Sequence, residues 1–318
     1  MGKISKFRPE EFWYTVDLLL PLKRSLSFLG YPLNRGEAYR PFFIIGSPRS
    51  GNTLLRRILY AHPDLHIPPE TYVLGKTIRL FRQYRTMNWP DLVYFILAQF
   101  EFHPEFETFE ISLRSLAQRL IHVPENSQSL AFILDSLYRY HAEMKGIQCQ
   151  RWGDKTPLNI FALEKILSVF PDAQFIHVIR DGVDVVSSYL EANLKTADID
   201  SVAKRWLSSI KEASRFTRRH PALCLEIRYE KLVSEPSPVI LEICKFLNIE
   251  YTPQMMDSHK IAQDMGDVPI RGHHVTVSQP FSTLSIGKGR QRLSLAQKRR
   301  LQTLIGQELV QLGYEPAF

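Results

Sequence analysis

Apolar residues along the chain recur in two rhythms. Phe42-Phe43-Ile44-Ile45 is a short unbroken apolar run that ends at Gly46. A run of that length, closed by a turn residue, predicts a strand buried on both faces, as parallel strands are. Phe175-Ile176-His177-Val178-Ile179 predicts a second such strand, and Leu223-Cys224-Leu225-Glu226-Ile227 a third. Elsewhere the period is helical. Leu54, Leu55, Ile58 and Leu59 share one face of a helix expected from Gly51 to about Ala61, where His62-Pro63 stops it. Val183, Val186, Leu190 and Leu194 mark a helix capped by Asp181. Further helices are expected over residues 201–219, 237–248 and about 294–312. Residues 74–145 are predicted mostly helical, broken at Asn88-Trp89-Pro90, around His103-Pro104 and at Pro124.

Strands alternating with helices predict an α/β fold, an open and mostly parallel sheet with helices on both faces. Only three or four strands are legible, so the sheet is small and the helical insertion, about 74–148, is large. Residues 1–40 form a lead-in with two patches, Phe12-Trp13-Tyr14 and a Leu18-to-Arg24 stretch. Packing against the domain of residues 41–318 is expected for it, with a peripheral membrane contact through residues 1–30 as the alternative. Residues 255–290 mix Gly, Pro, Ser and His without period, which predicts a long functional loop or lid.

Composition narrows the class. The 318 residues are 44% hydrophobic and 23% charged, an ordinary globular mixture that excludes a disordered chain, a collagen or a coiled-coil rod. The three cysteines, Cys149, Cys224 and Cys244, are odd in number and form no C-x-x-C pair. That argues against a disulfide framework and a structural zinc site. The longest apolar stretch, Leu92 to Ala98, is too short to span a bilayer, and no signal pattern opens the chain, so a cytoplasmic setting is expected. The net charge of +7 suggests an anionic partner: nucleic acid, a membrane surface, or a small multiply charged ligand.

The chemistry concentrates after the first strand. Gly46-Ser47-Pro48-Arg49-Ser50-Gly51-Asn52-Thr53 joins a buried strand to a helix start. Such a turn aims several backbone N–H groups at one point, reinforced by the positive helix end. The glycine spacing matches the ATP-binding pattern G-x-x-x-x-G-K-[ST], with Thr53 in the Ser/Thr slot, but Asn52 holds the lysine slot and the nearby cation is Arg49. A second constellation follows the second strand, where Arg180 leaves the strand end and Ser188 lies two helical turns on. An Arg and a hydroxyl can clamp a phosphate dianion there.

Pro48-Arg49-Ser50-Gly51-Asn52-Thr53-Leu54 resembles the 5′-phosphosulfate loop of sulfotransferases that use 3′-phosphoadenosine 5′-phosphosulfate (PAPS). It is nearest to the branch containing tyrosylprotein sulfotransferases and bacterial relatives, whose loop reads P-R-S-G-T-T-L. Arg180 and Ser188 stand at the positions of the family's 3′-phosphate site. Arg228-Tyr229-Glu230-Lys231-Leu232 resembles the R-Y-E-x-L segment, which places Tyr229 at the adenine. Ile286-Gly287-Lys288-Gly289 resembles a late glycine-lysine loop, where Lys288 or Arg290 would neutralise phosphate. The resemblance implies a P-loop-like three-layer α/β/α domain, PAPS as co-substrate with adenosine 3′,5′-bisphosphate as product, and no metal. It also implies a hydroxyl acceptor: carbohydrate, lipid-linked sugar, peptide tyrosine or small alcohol. No nucleic-acid partner is implied.

Sulfuryl transfer in line needs a base for the acceptor hydroxyl and positive charge for the leaving phosphate. Glu70, in His66-Ile67-Pro68-Pro69-Glu70-Thr71, is the candidate base, because two prolines stiffen its approach and the tyrosylprotein branch has a glutamate before a Thr there. His62, His273 and His274 are the rivals. Lys155 in Gly153-Asp154-Lys155-Thr156-Pro157 resembles the lysine of the family's N-K-D-P segment, as acid or electrostatic stabiliser. Arg49 would contact the transferring group, and Ser285 or Thr283 would assist. Lys76, Arg79, Arg82 and Arg85 recur at helical spacing, either as a basic face toward an anionic acceptor or as a solvated helix face. The alternative function is a P-loop-type kinase or nucleotide-binding protein with a degenerate phosphate loop.

Overall fold

The structure, a computed structural model, describes residues 30–192, 198–265 and 279–318. The expected membrane contact, most of the lead-in, the middle of the 255–290 loop and the histidines His273 and His274 lie outside the described residues.

Among the described residues five parallel strands form one sheet: β1 (Phe42–Ile45), β2 (Leu65–His66), β3 (Arg151–Asp154), β4 (Gln174–Ile179) and β5 (Cys224–Arg228), in the order β2-β3-β1-β4-β5. The apolar run of β1 lies at the centre, with Phe42 opposite Gln174 and Ile45 opposite His177 on one side and Phe43 opposite Asp154 on the other. The helices, in chain order, are α1 (Asn52–Tyr60), α2 (Leu74–Tyr84), α3 (Trp89–Glu101), α4 (Arg114–Leu120), α5 (Leu130–Met144), α6 (Leu163–Val169), α7 (Gly182–Glu191), α8 (Ile199–Arg219), α9 (Tyr229–Ser234), α10 (Pro236–Leu247), α11 (Lys288–Arg292) and α12 (Leu295–Gln311).

The two-residue period of a strand makes the layers. Phe42 and Ile44 point into a core with Leu55, Ile58 and Leu59 of α1 and Ile240 and Ile243 of α10. Phe43 and Ile45 point the other way, into a core with the α2–α6 insertion and Phe216 of α8. A third cluster joins α7, α8 and α12 through Val183, Trp206 and Leu301. The result is the expected α/β/α arrangement.

The predicted breaks in the insertion fall where chain chemistry puts them. Asn88 caps α3 by accepting from the Asp91 N–H at 3.0 Å, with Pro90 in the first turn. His103-Pro104 begins a 3₁₀ turn over Pro104–Phe109. Pro124 precedes a shorter one.

Two strands were not legible beforehand, and β3 has a steric reason. Its sequence, Arg-Trp-Gly-Asp, is not an apolar run. Gly153 is required because a Cβ there would collide with the Phe42 ring. The described part of the 255–290 segment is more ordered than a loop, with 3₁₀ turns over Pro253–Met255 and Ser258–Met265 and the short helix α11.

Candidate active site

The segments that follow the C-terminal ends of the strands gather around one cleft of about 840 Å³. β1 leads to the Gly46–Thr53 loop, β2 to Glu70, β3 to Lys155, β4 to Arg180 and β5 to Tyr229. This is the end of an open parallel sheet where ligands bind. The lining includes Pro48, Arg49, Gly51, Asn52, Thr53, Glu70, Arg180, Ser188, Tyr229, Ser285 and Lys288.

The loop after β1 is built around two left-handed residues, Arg49 at φ 69° and Gly51 at φ 100°. Gly51 is doubly constrained: its backbone favours glycine, and a Cβ there would strike the Tyr229 ring. It caps α1 without any side-chain hydrogen bond, which leaves the first-turn N–H groups directed at the cleft. Ser47 and Ser50 are buried inside the turn, where the Ser50 N–H donates to the Ser47 carbonyl at 3.1 Å. Asn52 is also turned inward. Its amide donates to the same Ser47 carbonyl at 2.9 Å, so its side chain latches the loop.

Arg49 and Arg180 come together on the Ser188 side of the cleft. The Arg49 Nε donates to the Ser188 hydroxyl at 3.1 Å. Arg180 donates to the Arg49 carbonyl at 3.0 Å and to the Ser285 carbonyl at 2.9 Å. Burial, and then the neighbouring Arg180 cation, push the Arg49 guanidinium below its ordinary value. The Arg180 Nε is buried and has no hydrogen-bond partner among the described residues. The Tyr229 hydroxyl and the Ser285 hydroxyl are 2.6 Å apart; Ser285 lines the cleft and Thr283 is not among its described lining.

Lys288 reaches the cleft because α7 holds its loop. Asp184, buried on the helix face between Arg180 and Ser188, accepts from the Gly287 N–H at 2.8 Å and the Gly289 N–H at 2.7 Å. Arg290 is turned away into an ion pair with Asp181. Sequence reading missed Asp184, although the spacing 180, 184, 188 was a visible signal for it.

On the other side of the cleft Glu70 and Lys155 form an ion pair, and the Lys155 Nζ lies 3.4 Å from the Thr53 hydroxyl. Lys155 is only 1% exposed, so the cleft meets it through Glu70 and Thr53. The flanking Asp154 is a buried hub that accepts from Thr71 at 2.8 Å, Tyr138 at 2.5 Å and Asn159 at 2.8 Å. The Thr71 N–H donates in turn to Thr156 at 2.9 Å. These bonds fix the backbone beside Glu70. Burial pushes the Asp154 carboxyl up, and the donors partly offset this.

His62 is not in the cleft. It is buried, bonded to the Glu250 carbonyl at 2.8 Å and to the Asp64 N–H at 3.1 Å. Nor does any residue of α2 line the cleft, Lys76, Arg79 and Arg82 included.

A parallel sheet with a phosphate-type loop and a cleft at its C-terminal end places the chain in the P-loop-like α/β class. Solved structures agree on the fold. The sulfotransferase domain of the Synechococcus PCC 7002 olefin synthase is similar with a TM-score of 0.59 at 21% identity, covering 90% of this chain and 96% of that one. The sulfotransferase domain from the curacin biosynthetic pathway is similar with a TM-score of 0.53 at 20% identity, over 88% and 99%. The chain belongs to the sulfotransferase family, whose model matches residues 41–253, and its reaction class is sulfuryl transfer. A putative protein-tyrosine sulfotransferase of Caenorhabditis briggsae is 27% identical over 69% of this chain and 69% of its own length. Protein-tyrosine sulfotransferase 1 of Danio rerio is 24% identical over 86% and 72%.

Proposed function

We propose that the protein transfers the sulfuryl group of PAPS to an acceptor hydroxyl, with Glu70 as general base. The observation that carries the reading is that both anion-binding motifs open on one cleft. The uncapped start of α1 serves the 5′ end of the nucleotide. Arg180 and Ser188, with Lys288 above them, serve a 3′-phosphate. The buried, unpartnered Nε of Arg180 suits an anion that donates nothing and accepts everything.

In the proposed step the acceptor oxygen attacks sulfur in line. The new O–S bond forms as the bond from sulfur to the 5′-phosphate oxygen breaks, and the hydroxyl proton passes to Glu70. The bonding pair leaves with adenosine 3′,5′-bisphosphate. Lys155, held at Glu70 and close to Thr53, offsets the charge that grows on the phosphate and on the moving group; Arg49, expected at the transferring group, instead bonds Ser188 on the 3′-phosphate side. Catalysis is then positioning plus electrostatics, as in phosphoryl transfer.

A P-loop kinase is the rival. Its lysine position holds Asn52, whose amide is committed to the Ser47 carbonyl. Titration calorimetry separates the two readings. Adenosine 3′,5′-bisphosphate should bind without magnesium and much more tightly than ATP–Mg. Preference for ATP–Mg would reject the proposal.

A further inference from the structure

Residues 279–285 form neither helix nor strand, yet Gln279, Phe281, Leu284 and Ser285 line the cleft. A segment with no regular structure of its own depends on anchors for its path, because ordering it costs conformational entropy. Two arginines anchor this one. At one end Arg180 donates to the Ser285 carbonyl at 2.9 Å, and the Ser285 hydroxyl meets the Tyr229 hydroxyl. At the other end Arg57 of α1 donates to the Gln279 carbonyl at 2.6 Å, and its guanidinium lies 5.6 Å from the centre of the Phe281 ring. The same side chain donates through Nε to the Ser258 hydroxyl at 3.2 Å.

Arg57 is fully buried. Its helix neighbours Leu55, Ile58 and Leu59 belong to an apolar core against which Phe281 also packs. An apolar side chain at this position would pack without taking a charge out of water, so the arginine answers to what its fork holds. Burial lowers the guanidinium to about 10, which leaves it a cation at neutral pH. Arg57 also stands one helical turn beyond Thr53, on the helix whose uncapped start opens on the cleft. Residues 279–285 are therefore slung between the two anion-binding motifs, with α1 at one end and Arg180 at the other.

We propose that Arg57 is a positioning residue for the nucleotide. It seats residues 279–285 on α1 and so holds Ser285 between Arg180 and Tyr229, the side chains expected at the 3′-phosphate and the adenine. This inference rests on the sulfuryl-transfer reading above and names what keeps one wall of that site in place. Arg57 is not part of the described cleft lining, so it acts through the segment that it anchors. Without it the segment loses its seat at Gln279 and Phe281, and nucleotide binding must then order the segment as well, which weakens the observed affinity.

The test is titration calorimetry of the full chain with adenosine 3′,5′-bisphosphate, well below the melting temperature of every protein compared. Arg57→Met removes the charge and the donors but keeps an apolar stem, and should raise the Kd about three- to tenfold. Arg57→Lys keeps the charge without the fork and should recover only part of the loss. Amide hydrogen exchange of the free Arg57→Met protein should quicken over residues 279–286 and stay unchanged in β4. Phe281→Ala, at a half-buried position, takes the ring away from the guanidinium without stranding the charge. It should raise the Kd and quicken the same amides, and adding Arg57→Met to it should change little more. A lower melting temperature with wild-type Kd and wild-type exchange over residues 279–286 would make Arg57 a merely structural residue and overturn the inference, as would fully additive losses in the double variant. If Arg57→Met does not fold, Phe281→Ala decides: wild-type affinity and exchange there overturn the inference. Where the wild-type chain binds the bisphosphate and the variants bind it equally, this inference alone falls. Where the wild-type chain does not bind it, the reading beneath falls too.

Discussion

The Arg180 guanidinium lies 4.4 Å from the centre of the Tyr229 ring. Both residues leave their strands one position beyond the pair Ile179 and Arg228, the last in the β4–β5 register. A cation over an aromatic face is worth about 0.5–2 kcal/mol, so Arg180 is held in place before any ligand arrives. The Arg49 and Ser285 carbonyls hold its two terminal nitrogens. A lysine has the charge but neither the fork nor the flat face. Hydrogen bonds to charged groups contribute about 1.5–3 kcal/mol, so Arg180→Ala should weaken adenosine 3′,5′-bisphosphate roughly ten- to hundredfold. Arg180→Lys should recover little of that. Calorimetry on the three proteins decides it, and a lysine variant that binds like the wild type would remove Arg180 from the proposed 3′-phosphate site.

Glu70 is argued as a base, and that role separates from a structural one. Glu70→Gln keeps an oxygen for the Lys155 ammonium but cannot take a proton. Turnover should fall about 10²–10⁴-fold while bisphosphate affinity stays the same. Glu70→Ala additionally strands a buried lysine, a change that costs about 3–5 kcal/mol, so its melting temperature should drop well below that of the glutamine variant. Single-turnover rates and thermal melts together give the answer. A fully active Glu70→Gln protein would show that another group accepts the proton.

The parts of this molecule that were legible are those whose signal is local. β1 and β4 are apolar runs of core strands, β5 is an edge strand that buries Ile227, and Asp181 caps α7 from its own sequence position, accepting from the Val183 N–H at 2.8 Å. The phosphate-type loop was legible for the same reason, since Gly46, Arg49 and Gly51 act through their own backbone. What was not legible depends on distant partners. β3 contains a glycine because of Phe42 on the neighbouring strand. Tyr138, in the middle of α5, looks like any core tyrosine until Asp154 is found at its hydroxyl. Asn52 reads as a ligand, and only the folded loop reveals that its amide closes the turn. The evenly spaced cations of α2 read as a face toward the acceptor or toward water; they stand outside the cleft, and Arg82 bonds Ser168 at 2.7 Å.

The buried histidine pair behind β2 predicts acid sensitivity. The His66 Nε2 and His141 Nδ1 are 2.8 Å apart, with the rings stacked. Their other nitrogens are buried without partners among the described residues. Burial, aided by the nearby Arg56 cation, lowers His66 from 6.5 to about 3. Burial, then His66, lowers His141 from 6.5 to about 2. The unfolded chain therefore binds protons that the folded one refuses. The stabilisation is whole above pH 6.5 and is lost as pH falls from 6.5 toward 3, by up to about 1.4 kcal/mol per pH unit for each histidine. Urea unfolding measured from pH 7.5 to 4.5 should show this slope, and the double variant H66F/H141F should flatten it. An unchanged slope in that variant would assign the acid limb to carboxylates that the fold holds below their ordinary range, such as Glu226.

Asp184 is a positioning residue for the loop that carries Lys288. Each of its carboxylate oxygens takes one backbone N–H, from Gly289 and from Gly287. Gly289 approaches so closely that a Cβ there would meet the Val183 carbonyl. The loop is thus seated on α7 at two points beside Arg180 and Ser188, and Lys288 follows from that seating. Asp184→Asn retains one acceptor oxygen and replaces the other with a donor, which faces an N–H it cannot bond. Asp184→Ala removes both. If the loop acts through the nucleotide, the KM for PAPS should rise about tenfold in the alanine variant, from the loss of a hydrogen bond to a charged group. It should rise less in the asparagine variant, and kcat at saturating PAPS should change little in either. A residue that merely stabilised the fold would lower the melting temperature without moving KM. A residue in the chemical step would lower kcat and leave KM alone. Substituting Lys288→Ala in the Asp184→Ala background completes the cycle. If Asp184 works by placing Lys288, the second change should add almost nothing to the first. Additive losses would mean that the carboxylate and the lysine act independently.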